Sequence, residues 1–583
     1  MKQTKWLLLV LTLVLSMFLA ACSGGDSENA GEGDGNGETE TGENNEGEDT
    51  EGNGNEGDGE ETKSDGPNGE QVLNLTEGAD IPTLDPSMAT DAVAFQVLGS
   101  TMEGLYRLGE NAQIKPGIAK DHEVSEDALT WTFNLREDAT WSNGDPVVAS
   151  DFVYAWKRAV DPETGSEYGP YMMGGVIKNA TAINKGEMEL DKLGVEAVDE
   201  TTLKVTLEKP IPYFESLTAF GTFLPINKKA VEEFGEDFAL EAGNIYYNGP
   251  FVLSEWNHGE GWTFKKNSDY WDADAVSLEQ INFKVVKDVA TSVNLYETDK
   301  VDATGLSAEF VDEYRNNPNF EINPQNVLFY FKYNQEHHEA LANTNARKAL
   351  TMAIDKNGLV NVILNNGSLV ATGDIPQDFV THPETGEDFR DINGDFLTYD
   401  KEKAQELWKK AKEELGKDEL TIELLAGDSE TGKNMNAYFK NQWESNLEGL
   451  TIELKQVPFK ERLRLDTNME YDIQFSGWGP DYLDPNTFLN MWVTGGGNNK
   501  MGYSNEEYDA LIEKANTEYA TQPVKRFETF LEAEKVLMND AAIGPLYQRA
   551  SASVWKPYVK DVIRNPMGPD FTFKWAYINK NAE

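Results

Sequence analysis

Between Leu420 and Phe475 the chain alternates strand and helix patterns five times. Leu420–Leu425 and Leu450–Gln456 read as strands, as does the run ending in Ile473 and Phe475. Met435–Leu447 and Phe459–Leu465 read as the helices between them. Such an alternation folds as an open, mainly parallel sheet with helices on its faces, and ligands of such sheets bind beyond the carboxyl ends of the strands. At that place stands Gly477-Trp-Gly-Pro-Asp-Tyr-Leu-Asp-Pro485. Glycines sit where the backbone bends or is approached closely, and a carboxylate stands beside an aromatic. This turn is expected to wall a ligand cavity, with Asp481 as its charged anchor.

The rest of the chain supplies further elements. Val72–Leu75 is a first strand, and Val93, Val97, Leu98, Met102 and Leu105 share a helix face capped by Thr90 or Asp91. Leu129, Trp131, Phe133 and Leu135 alternate with polar residues, and Ser150 is placed to open a helix carrying Val153, Trp156 and Val160. Gly194–Val198 and Thr202–Leu207 form a hairpin on a sheet edge. Val327–Lys332 is nearly continuous in bulk, which predicts a strand buried on both faces or a crossing between domains. Lys401–Leu415, Asn505–Thr517 and Lys525–Met538 are helices, and Ile543–Tyr547 and Asp570–Trp575 are late strands.

The first 70 residues stand apart. Leu7–Leu19 is an apolar run behind Lys2 and Lys5, too short for a permanent membrane span and laid out as a signal peptide. It ends in Leu19-Ala-Ala-Cys22, which resembles the lipobox of bacterial lipoproteins, so Cys22 is expected to become a lipidated N-terminus. Cys22 is the single cysteine, so its modification leaves no thiol for disulfides, catalysis or metal. Ser23–Glu70 holds 17 acidic residues, one lysine and no aromatic, and reads as a disordered, self-repelling tether.

Residues 71–583 still carry a net charge of −38, once the tether's −16 and the two N-terminal lysines are taken from the chain's −52. A body this acidic repels nucleic acid and anionic lipid. Self-repulsion on this scale is relieved by salt, which points to a salt- or alkali-adapted source. The melting temperature is therefore expected to rise between low and molar salt, and a flat or falling curve would refute the idea. The body is also too long for one core, so two or three domains are expected.

Catalytic and metal patterns find no support. Gly432-Lys433 lacks the glycine-rich lead-in of a phosphate loop, and no serine elbow is present. Of five histidines (His122, His258, His337, His338, His382), the adjacent pair His337-His338 would face opposite ways on a strand. With 102 acidic residues, paired carboxylates carry no weight for glycosidase chemistry. The chain is expected to be no enzyme, with no cofactor and no metal site.

With these motifs in view, the chain resembles the oligopeptide- and dipeptide-binding lipoproteins of bacterial ABC importers, family 5 of the solute-binding proteins. The resemblance spans residues 72–583. Its most specific stretch is Leu129-Thr-Trp-Thr-Phe-Asn-Leu-Arg-Glu-Asp-Ala-Thr-Trp-Ser-Asn-Gly-Asp-Pro-Val-Val-Ala-Ser-Asp-Phe-Val-Tyr-Ala-Trp156. Tyr247-Asn-Gly-Pro-Phe251, Asn345-Ala-Arg-Lys-Ala-Leu350 with Ala353-Ile-Asp355, and Gly477–Pro485 favour the oligopeptide branch.

The resemblance implies an α/β, two-lobed periplasmic-binding-protein-like fold of the cluster C type with an extra inserted domain. Its parts would be a signal peptide (1–21), the lipidated tether (22–70), a discontinuous first domain (71–115, 222–325 and 548–583), an inserted domain (116–221) and a second lobe (326–547). Asp481 would meet the α-ammonium of a short peptide, backbone at Gly477, Trp478 and Gly479 would pair with it, and Tyr482 would stand beside it. Relatives more often carry a side chain and then alanine where this chain has Gly479-Pro480, so one backbone donor is missing. The implied partners are short peptides and a permease with its ATPase. The implied setting is a lipid-anchored monomer on the outer face of a Gram-positive membrane. A sensor of signalling peptides is the alternative, and nickel or oligosaccharide ligands occur within the family.

Overall fold

The computed structural model describes residues 66–110, 113–565 and 568–582. The signal-peptide, lipobox and tether expectations, up to Asp65, lie outside them. Three sheets organise the chain. In sequence order the strands are β1 (Val72–Glu77), β2 (Ala119–Val124), β3 (Thr130–Leu135), β4 (Val195–Ala197), β5 (Thr202–Thr206), β6 (Phe251–Asn257), β7 (Gly261–Lys266) and β8 (Gln280–Val285). They continue as β9 (Ala303–Leu306), β10 (Phe320–Tyr333), β11 (Leu420–Gly427), β12 (Leu450–Val457), β13 (Ile473–Trp478) and β14 (Ile543–Trp555). The helices used below are α1 (Ala92–Thr101), α2 (Ala149–Val160), α3 (Lys401–Leu415), α4 (Glu430–Asn446), α5 (Phe459–Thr467) and α6 (Pro523–Asn539).

The first sheet runs β1-β8-β7-β6 and the second β2-β3-β5-β4, so the predicted hairpin has β4 on the edge. One continuous core serves both, with Leu73, Val97, Phe133, Trp156, Phe251 and Ile281 buried. The third sheet runs β9-β14-β10-β13-β11-β12. β11, β12 and β13 pair in parallel, as the strand–helix alternation predicts. Along β10 the parity splits as expected for a strand covered on both sides. Phe331 and Tyr333 enter a core with Trp408 of α3 and Phe439 and Trp443 of α4. Leu328 and Tyr330 enter another with Trp492, Phe530 of α6 and Ile543. The result is a two-lobed α/β fold.

β10 and β14 are the long strands that carry the chain across it. They pair antiparallel from Phe320↔Val554 to Lys332↔Ile543, with the register broken between Pro324 and Leu328 and again at Phe329/Tyr330. Proline lacks the amide hydrogen a ladder needs, so the first break falls where pairing is weakest.

The two most specific sequence stretches dock on each other. Ser142 N–H donates to Tyr247 O (2.7 Å) and Tyr247 N–H to Ser142 Oγ (3.0 Å). Asn248 brackets the backbone of Glu103 through both amide atoms, and a Cβ on Gly249 would lie 2.5 Å from Thr101 C. These motifs hold the first lobe together. Two expectations need correction. Ser150 does not open α2: its N-cap is Val148, whose N–H donates to Asp151 Oδ2, an atom that also accepts from Trp141 Nε1. Asp570–Trp575 is not one strand. Only Phe571–Thr572 pairs there, with Ile563–Arg564, while Phe573 drops into the core and buried Lys574 is held by Asp272.

Candidate ligand-binding cleft

β13 ends in the Gly-Trp-Gly-Pro-Asp turn. On one side it pairs with β10 through Trp478. On the other it pairs with β11 only at Ile473 and Gln474. Beyond Gln474 one edge of the strand has no partner strand among the described residues, and past Phe475, whose carbonyl is taken by Arg462, that edge could pair with an extended guest. A cavity of about 350 Å³ lies along it. Gly477, Trp478, Gly479, Pro480 and Asp481 line one wall, and Asp91, Phe95, Tyr168 and Phe220 of the first lobe line the other. Tyr168 and Phe220 stack at 5.8 Å with Phe95 tilted against both. Gly477 is needed for space: a Cβ there would come within 2.8 Å of Phe329.

The two acids of the turn, equivalent in sequence, differ in fate. Asp484 is locked, accepting from Arg526 Nη1 (2.5 Å) and Nη2 (2.8 Å). Asp481 is only 6% exposed, and its Oδ2 has no hydrogen-bond partner. Its backbone N–H is tied to Thr487 Oγ1 (3.0 Å), which fixes the residue while leaving Oδ2 without a partner. Burial pushes this carboxyl up to about 8, with the Tyr171 hydroxyl opposing. An acid so placed is stabilised by whatever cation enters the cleft.

Gly477, Trp478 and Gly479 thus line the cavity. Tyr482 does not. It is absent from the cavity lining, and its ring stacks on Tyr213 of the other side at 4.3 Å and 5°. Asn486 Nδ2 donates to both hydroxyls, at 2.9 Å to Tyr482 and 3.1 Å to Tyr213. Tyr482 fastens the rim, as does the Lys500–Glu167 ion pair (3.0 Å).

Sequence reading missed the opposite charge. Arg462 of α5 lines the same cavity, donates from Nη1 to Phe475 O (3.2 Å), and stands in no ion pair among the described residues. Burial presses its guanidinium down from the usual range, with Asp466 opposing. The other cavity charges are already compensated. Lys332 pairs with Asp466 (2.7 Å), Lys500 with Glu167 and Arg549 with Asp570 (3.2 Å), while Asp91 caps α1. Asp481 and Arg462 are left over, of opposite sign, at two levels of one strand edge. No local signal marks Arg462, because its lack of a partner is a tertiary fact.

The family model for bacterial extracellular solute-binding proteins, family 5, matches residues 113–500. The chain belongs to this family. As a family 5 protein it is 35% identical over 514 residues to a dipeptide-binding protein of Lactococcus lactis, covering 86% of this chain and 93% of that one. The solved structure of Listeria monocytogenes OppA bound to peptide superposes with a TM-score of 0.83 at 44% identity, covering 88% of this chain and all of that one. Escherichia coli murein tripeptide binding protein MppA, 30% identical, covers 88% of this chain and 99% of its own, and superposes at 0.79. Its unliganded open form, with 88% and 98% covered, superposes at only 0.62. The family 5 cleft described here is thus not in that open arrangement, in keeping with the rim contacts that span it. Among the described residues no helix is long and apolar enough to cross a membrane, and no cluster of side chains could hold a metal. His337 Nδ1 is engaged by Asp472 (2.7 Å), and His338 Nδ1 accepts from Ala340 N–H.

Proposed function

We propose that this chain is the extracytoplasmic binding component of an ABC peptide importer, which shuts a short free peptide between its two lobes. The observation that carries the reading is the pair of uncompensated charges, Asp481 and Arg462, at the two ends of an unpaired strand edge. A peptide with free termini is the zwitterion that fits it: ammonium on Asp481, carboxylate on Arg462, and backbone amides along Gly477–Gly479. Backbone pairing is blind to sequence, and the surrounding cavity leaves side chains room for water.

Phe475, where Arg462 is anchored, and Asp481 are six residues apart along the strand and turn. At about 3.3 Å per residue that span matches a peptide of roughly four to six residues. Calorimetry on ligand-stripped protein with alanine peptides of two to eight residues is expected to peak in that range. N-acetylation should weaken binding at least ~100-fold, and C-amidation about tenfold or more, the latter loss vanishing in Arg462→Ala. Blocked peptides that bind as well as free ones would overturn the reading. A sugar offers Asp481 no cation, and nickel would need ligands besides one carboxylate.

The division into a first lobe of 71–115, 222–325 and 548–583 with 116–221 inserted, against 326–547, belongs to the same proposal. The shared core of the first two sheets and the two cores flanking β10 support it. Proposed with it are a signal peptide of 1–21, lipidation at Cys22 with a tether to residue 70, a monomeric state, and a Gram-positive, salt- or alkali-adapted host.

A further inference from the structure

Off the cleft opens a second chamber of about 320 Å³, which shares Ala92, Gln325, Arg549 and Asp570 with it. Leu75, Val93, Phe283, Ala303 and Trp555 give its lining an apolar part. Its charges are unevenly matched. Arg549 is held by Asp570, and Arg564 donates from Nε to Glu321 (2.6 Å). Glu77, the last residue of β1, makes no ion pair among the described residues; its Oε1 accepts only the N–H of the next residue, Gly78 (2.7 Å). Glu77 is half-buried and lines the chamber, and burial pushes its carboxyl up to about 7, with the Gly78 N–H opposing, Asp570 adding to the rise and Arg549 opposing it.

A second atom points the same way. Gln325 is 3% exposed and donates from Nε2 to Asp570 Oδ1 (3.1 Å), which leaves its Oε1 buried without a partner. The unmet capacity of this chamber is one carboxylate and one amide oxygen, both acceptors, beside apolar side chains. A long aliphatic stem tipped with a cation matches that combination, since the stem packs while the head donates.

We propose that the chamber is a side-chain subsite for a lysine or arginine of the bound peptide, its nitrogen received by Glu77 and Gln325 Oε1. The proposal rests on the peptide reading above and adds a preference within it. It tells apart peptides that the backbone contacts treat alike, because a norleucine of equal length leaves both acceptors unmet.

The test is calorimetry with ligand-stripped protein and pentaalanine in which lysine, norleucine or glutamate replaces each residue in turn. At one position lysine is expected to bind at least ~10-fold tighter than norleucine, as a charge-assisted hydrogen bond to a buried acceptor implies. The lysine-to-norleucine ratio at that position should fall to about one in Glu77→Gln and invert toward glutamate in Glu77→Lys. No position with such a preference in the wild-type protein overturns the subsite, whether or not the variants fold. A preference that survives in Glu77→Gln overturns it too. If no pentapeptide binds at all, the peptide reading itself fails and the subsite with it; binding without any lysine preference refutes the subsite alone.

Discussion

Asp481→Ala is expected to weaken the binding of a short peptide at least ~100-fold while leaving the fold at least as stable as before. Removing one member of a buried, hydrogen-bonded charge pair costs about 3–5 kcal/mol, and ~100-fold needs only about 2.7 kcal/mol. The fold loses no ion pair, because among the described residues the Asp481 carboxylate has no cationic partner and its Oδ2 has no hydrogen-bond partner. The pH dependence has a definite sign. With the folded carboxyl raised to about 8 from an ordinary 3.8, burial of this group costs nothing below about pH 4 and costs most above pH 8. Asp481→Ala should therefore match the parent in acid and gain on it as pH rises. Binding runs the other way: the ammonium wants the ionised acid, so affinity should climb from pH 6 to 8 in the parent and stay flat there in the variant. Shutting the cleft empty at pH 7 amounts to lifting a carboxyl about 3 pH units out of its range, roughly 4 kcal/mol. Calorimetry and thermal unfolding across this range decide the matter, and an unchanged affinity would refute the role of Asp481.

Arg390→Ala should destabilise the lobe around β13 by about 3–5 kcal/mol, the second large effect. Arg390 Nη1 and Nη2 donate to Glu534 Oε1 (2.7 Å) and Oε2 (2.5 Å), and Glu534 is fully buried. Glu534 also accepts from Asp374 N–H, Ile375 N–H and Asn393 Nδ2. Without the guanidinium it becomes a buried anion next to Asp374, whose own carboxyl is pushed up to about 8 by burial and then by Glu534. Asp374 in turn accepts from Trp492 Nε1 (3.0 Å), and Trp492 meets Tyr330 edge-on at 5.4 Å, so the network props a wall of the cleft. Denaturant titration should show Glu534→Gln restoring part of what Arg390→Ala loses, since it removes the stranded charge. A loss under about 1 kcal/mol, or no rescue, would mean that the pair is not what holds this region.

Much of the fold is readable from local pattern because local pattern causes it. Trp131, Phe133 and Leu135 alternate because one face of β3 meets the core, and the β11–β13 run parallel because helices link them. Errors fell where a tertiary partner outvoted a local signal. Ser150 has the chemistry of a cap, yet Asp151, held by Trp141, takes that task. Phe571 and Phe573 alternate like a strand, but the second ring is claimed by the core. In the cleft, Asp481 stands out by its motif, whereas the motif does not say that Tyr482 stacks on Tyr213, because an aromatic beside a carboxylate serves equally well to line a cavity or to fasten a rim. Arg462 and Glu77 could not be found at all. What marks them is the absence of a counter-charge, and Lys332 and Asp466, 134 residues apart, show how far away such a partner can be.

The broken register of β10 against β14 bears on where the protein keeps the energy that separates its shapes. If the lobes turn about the two crossing strands, the register shift at Pro324–Leu328 means that fewer ladder bonds stand in the way there. The difference between gaping and shut would then lie at the jaws, where Tyr213 lies on Tyr482, Lys500 reaches Glu167, and Asp481 has one carboxylate oxygen without a partner. A protein built this way can be retuned for tighter or looser grip by changing residues at the mouth, with its pivot untouched.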